Sequence, residues 1–158
     1  MPPPNTLQHG DLTLPLPAGW SDASQLLVVG PDEGGFRPNL SITSEPVAEG
    51  VTDEGYARGF VPLLQKQLKN YQVVREGPAS FGGLSGFLRE QTFEQGGLKL
   101  GQLQLCVVER GLARIFTFTH KAVRLSGSRA LAESLLASVQ IHVPLKSGGK
   151  GTPYIIPF

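Results

Sequence analysis

Residues 84–120 read LSGFLREQTFEQGGLKLGQLQLCVVERGLARIFTFTH, and this stretch decides the fold. Apolar and polar residues alternate through it, and two glycine turns interrupt the alternation, the signature of strands joined by hairpins. It predicts a three-strand antiparallel meander: Leu84 to Glu94, a turn at Gln95-Gly96-Gly97, Leu98 to Glu109, a turn at Arg110-Gly111, and Leu112 to His120. In the last strand Ile115, Thr117 and Thr119 share one face, and Phe116 and Phe118 the other. In the middle strand Leu103, Leu105 and Val107 oppose Cys106 and Val108. Both faces therefore carry apolar side chains, unlike a sheet with one side in water. Each face needs a cover.

Working outward, Asp11 to Pro17 alternates with Leu12, Leu14 and Leu16 on one side. Pro15 and Pro17 lack the amide hydrogen of a central strand, so this segment belongs at an edge or leaves the sheet there. Trp20 is expected to plug the core beside the following turn. Short strands are expected at 25–29 and 39–44. Thr52 is placed to cap a helix with Asp53 and Glu54 in its first turn. Tyr56, Phe60, Leu63, Leu64 and Leu68 recur along it at helical spacing, and Pro62 should kink or restart it. Tyr71 to Glu76 reads as a strand turned at Gly77-Pro78, with Ala79-Ser80-Phe81 able to extend it. After the meander, a helix capped at Ser126 or Ser128 should carry Leu131, Leu135, Leu136 and Val139 on one stripe and end near Ile141. The plan is α+β, a mostly antiparallel sheet of six to seven strands with two main helices. Residues 1–9 form an extended lead, 10–143 one domain, and 144–158 a flexible linker with an apolar tail.

Charge is balanced, 14 Lys and Arg against 13 Asp and Glu, and mean hydropathy is -0.04. Lys and Arg are scattered rather than gathered into the basic stripe that nucleic-acid binding needs, so that function is not expected. No apolar run approaches the roughly 18 residues of a membrane span, and the N-terminus lacks the basic and apolar regions of a secretory signal. A cytoplasmic bacterial location, without membrane insertion, is expected. Cys106, the single cysteine, sits in an apolar strand and reads as a core residue. His9, His120 and His142 are far apart and have no second ligand at metal spacing. Glu90 and Glu94 share a strand face that reads as solvated. Gly148 to Thr152 resembles a phosphate loop but has glycine after the lysine, where Ser or Thr must reach magnesium. No catalytic residue, metal site or cofactor is expected, and the chain reads as no enzyme.

Two helices can share one face or each partly cover one. A shared face would leave an apolar surface for a partner. The run Leu12-Thr13-Leu14-Pro15 through Gly19-Trp20-Ser21-Asp22, the amphipathic helix and the segment from Gly77 to His120 resemble the DcrB-like family, whose fold is that of Mog1 and PsbP proteins. Among its members the chain is most similar to the Eag chaperones of type VI secretion. The resemblance implies a homodimer that shelters the apolar N-terminal helices of a secreted effector on a sheet face before loading on the secretion spike protein. The expected contacts are Leu103, Leu105, Val107, Ile115 and Thr117, on the face away from the chain's own helices. Tyr154, Ile155, Ile156 and Phe158 of the tail are rival occupants of that surface. The alternative is a DcrB-, Mog1- or PsbP-like binding protein with another protein or cell-envelope partner.

Overall fold

The computed structural model describes residues 6–142. It divides into two compact units, residues 24–139 and the remainder. In the smaller unit β1 (Thr6–His9) pairs antiparallel with β2 (Leu12–Pro15). The residues expected to be an extended lead therefore contribute a strand, and Gly10, at a positive φ of 59°, starts the turn. The Leu12 segment is half of this separate hairpin and not an edge of the main sheet. Trp20 is 67% exposed and does not fill a core.

The larger unit is an antiparallel six-stranded sheet in the order β3-β4-β8-β7-β6-β5. Its strands are β3 (Gln25–Val29), β4 (Asn39–Pro46), β5 (Lys69–Phe81), β6 (Leu84–Gln95), β7 (Leu98–Glu109) and β8 (Leu112–Lys121). The meander lies where alternation placed it. Gly96 and Gly97, and Arg110 and Gly111, all have positive φ, as two-residue hairpin turns require. The strand before the meander does not turn at Gly77-Pro78. It runs on to Phe81, because β5 is an edge strand and an edge tolerates a residue without an amide hydrogen.

The first helical segment does restart at its proline. α1 (Asp53–Gly59) is capped by the Thr52 hydroxyl, which accepts from the Gly55 amide at 3.0 Å. α2 (Val61–Gln67) begins with Pro62 in its first turn, where the missing amide hydrogen costs no intrahelical bond. α3 (Ala122–Ala137) starts earlier than the serines suggested, because β8 runs into it without a loop. Leu125, Ala132 and Leu136 are its buried stripe, whereas Leu131 is 52% exposed.

Register fixes which side chains share a face. Direct partners trace the row Val28–Leu40–Phe118–Leu103–Glu90–Arg75 and, beside it, Leu26–Ile42–Phe116–Leu105–Leu88–Gly77. α3 covers this face. A Cβ on Gly101 would lie 2.8 Å from Leu125 Cδ2, so glycine there lets the helix settle on the strand. Arg129 of α3 donates to both oxygens of Glu90 at 2.9 and 3.0 Å, and Arg75 donates to it at 2.7 Å. Glu90 is thus a buried, doubly paired carboxylate, not part of a solvated face. At the end of β8, buried His120 bonds Glu33 at 2.6 Å and stacks on Phe36, which ties the 30–38 loop to the sheet.

Candidate partner-binding face

The opposite face carries α1. Ala57 packs there against Phe87 and Cys106, with Tyr56 and Ile115 alongside. Asp53 accepts from the Val108 amide, Tyr56 donates to Glu45, and Arg58 lies 5.6 Å over the Phe87 ring. Helices therefore lie on both faces of the sheet, and neither face is free of them.

Beyond this apolar patch the α1 face turns polar. One row runs Leu27–Ser41–Thr117–Gln104–Arg89–Glu76 and the next Val29–Asn39–Thr119–Gln102–Gln91–Val73. The side chains of the second row are wired in one direction. The Tyr71 hydroxyl donates to Gln91 at 2.6 Å, Gln91 to Gln102 at 2.8 Å, and Gln102 to Thr119 at 3.0 Å. In the first row Gln104 donates to Thr117 at 3.3 Å, and Arg89 donates to Glu76 at 3.2 Å. Arg89 and Gln91 are each 1% exposed. Towards the β3 edge this face opens: Gln102, Gln104, Ser41 and Asn39 are half-buried, and Leu27 and Val29 are exposed.

The titrations follow burial. Burial pushes the Cys106 thiol up to about 11, with Arg89 opposing and Asp53 assisting. Burial also raises Tyr56, helped by its hydrogen bond to Glu45, and raises Tyr71 against the opposing charge of Arg89. A raised thiol pKa is that of a core residue, not of an activated nucleophile.

The five residues expected to form one contact surface do not share a face. Leu103, Leu105 and Val107 are buried on the α3 face, whereas Ile115 and Thr117 lie on the α1 face. The Arg110-Gly111 turn pairs Glu109 with Leu112, and that register sets Thr117 beside Gln104. The tail residues Tyr154, Ile155, Ile156 and Phe158 lie outside the described residues. Arg89, Gln91, Gln102, Gln104 and Thr119 were not expected in a site. Their signal was present, since polar residues at alternate positions in three adjacent long strands are unusual for a sheet interior.

Among the described residues no helix is long and apolar enough to cross a membrane. The α+β topology is shared with two solved structures. A protein of unknown function from Pseudomonas aeruginosa, PA94, matches with a TM-score of 0.71 at 16% identity, over 88% of this chain and 97% of its own. The cyanobacterial PsbP protein CyanoP of Synechocystis matches with a TM-score of 0.54 at 12% identity, over 82% of this chain and 99% of its own. The chain belongs to the DcrB family, whose profile matches residues 10–138. No curated protein matches it significantly.

Proposed function

We propose that this chain is a non-enzymatic chaperone or adaptor of the kind the Eag proteins of type VI secretion represent. It holds apolar N-terminal helices of a secreted effector on the α1 face, as a cytoplasmic homodimer, until the effector reaches the secretion spike. The observation that supports this is the open β3 side of that face. Exposed Leu27 and Val29 pair with half-buried Ser41 and Asn39, and half-buried Gln104 and Gln102 lie further along the same rows, beyond buried Thr117 and Thr119. An apolar helix laid there finds apolar contacts beside amide and hydroxyl groups able to meet its polar atoms. Leu103, Leu105 and Val107, buried under α3, are core residues and not contacts.

The test is co-expression with a toxin whose N-terminus carries apolar helices. The toxin should be insoluble alone and elute with this chain in one gel-filtration peak. A toxin equally soluble without the chain, with no joint peak, removes the chaperone reading. One observation favours a second reading, a DcrB- or PsbP-like binding protein with an envelope or other protein partner. With helices on both faces, less of the sheet is left open for a pair of long helices.

A further inference from the structure

The geometry points to a carboxylate-binding site at Arg89, on the α1 face. Arg89 lies 1% exposed in the middle of the sheet, yet Nε alone has an acceptor, Glu76 at 3.2 Å. Nη1 and Nη2 are fully buried and bond nothing. The other oxygen of Glu76 faces Arg58 at 3.6 Å and makes no hydrogen bond to Nη1 or Nη2. Leaving buried donors of an ionised group unmet costs more than a typical hydrogen bond returns. The free edge of a guanidinium is a planar fork that matches the two oxygens of a carboxylate.

Gln104 strengthens the assignment. It is the direct partner of Arg89 across β6 and β7, so the two side chains are neighbours on one face. Its Oε1 is also buried and unpartnered, while its Nε2 donates to Thr117. Amide oxygen and nitrogen are interchangeable by a half-turn of the side chain. After that turn the Thr117 hydroxyl donates to the oxygen, and the amide nitrogen is freed as a donor beside the guanidinium. Two orphaned groups of opposite sense then become three donors around one anion.

α1, on the same face, is lightly held by apolar burial. α1 buries Ala57 alone and α2 buries no residue fully, so much of the hold on α1 is polar, through Asp53, Tyr56 and Arg58. Such an element opens at lower cost than the sheet itself. Two sources share this chemistry: a free small carboxylate, or an Asp or Glu side chain within a bound protein segment. The site does not depend on the chaperone reading, and its test leaves that reading untouched.

The experiment follows the arginine side-chain NMR signals of the full chain at neutral pH. Sodium acetate is titrated against sodium chloride at equal ionic strength, and a short apolar peptide with one glutamate is titrated in parallel. The Arg89 Nε signal should shift saturably with acetate, the peptide or both, and not with chloride. Acetate without the peptide identifies a small-molecule site, and the peptide without acetate an acidic partner segment. The side-chain amide signals of Gln104, the cross-strand partner of Arg89, should shift with the Arg89 signal, and in Arg89→Met they should no longer respond. Glu76→Gln, which removes the competing negative charge, should tighten binding about tenfold, on the order of the gain of a charge-assisted over a neutral bond. No saturable shift in either the native chain or Glu76→Gln would overturn the site, leaving a guanidinium satisfied by water. So would an undiminished response of the Gln104 amide signals in Arg89→Met.

Discussion

Leu103 lies directly across the β7–β8 ladder from Phe118. Both are 2% exposed, on the face that α3 covers. Truncating either leaves a cavity between sheet and helix. Leu103→Ala should cost about 2–4 kcal/mol of unfolding free energy, read from urea denaturation, with no selective loss of partner binding in the protein that remains folded. Stability unchanged by this substitution would mean that Leu103 is not under α3.

The relay from Tyr71 through Gln91 and Gln102 to Thr119 makes a sharper energetic claim. Gln91→Leu keeps the volume but strands the Tyr71 hydroxyl and one acceptor on Gln102. The loss should be about 2 kcal/mol or more. Replacing Gln102 with Met in the same chain should cost less than the sum of the two single changes, because the groups belong to one network. Additive losses in a double-mutant cycle would show that the two amides act separately.

Two glycines differ for physical reasons. A Cβ on Gly86 would lie 2.2 Å from the Cys106 carbonyl oxygen, whose backbone cannot move aside. On Gly97 it would meet nothing within 4 Å, although φ is +79°. Gly86→Ala should therefore cost about 3 kcal/mol or more, and Gly97→Ala about 1 kcal/mol. In the next hairpin Arg110 occupies positive φ without being glycine, so Arg110→Gly should raise the melting temperature. Equal losses at the two glycines would contradict the close β6–β7 approach.

With its thiol pushed from 9.0 up to about 11, Cys106 should stay almost fully protonated at pH 8 and react with thiol reagents only after unfolding. The linkage has a definite sign. Between about pH 9 and 11 the unfolded chain releases this proton and the folded chain keeps it, so stability falls as pH rises through that window. Tyr56 and Tyr71, also raised, extend the fall upward. Cys106→Ala should flatten the lower part of the profile. A profile unchanged by Cys106→Ala would show that the thiol does not carry it.

What was legible in the chain was whatever local chemistry dictates. The glycine turns set the meander ends to within about one residue, and Pro62 marked the restart of the helix. Features that depend on distant neighbours were not legible. Pro78 sits inside a strand because that strand is an edge, and Ser126 and Ser128 lie within α3 because β8 leads straight into it. The α+β sheet and family could be read, but the contact surface was split by one residue of register. The Arg110-Gly111 turn held that register, yet alternation alone does not say which face of one strand meets which face of the next. The polar alternation marked Arg89 as unusual for a strand interior but not as buried, because its ion-pair partner Glu76 stands on another strand.

Leu27 and Val28 are neighbours on β3, 62% and 58% exposed, and they point to opposite faces. Because both are exposed, an aspartate at either should change stability by no more than about 0.5 kcal/mol. Co-purification of a toxin's apolar N-terminal helices with Leu27→Asp and with Val28→Asp tests the binding face directly. Leu27→Asp, on the α1 face, should abolish the complex, and Val28→Asp, on the α3 face, should leave it intact. Loss with Val28→Asp and retention with Leu27→Asp would contradict the assignment of the α1 face as the partner surface.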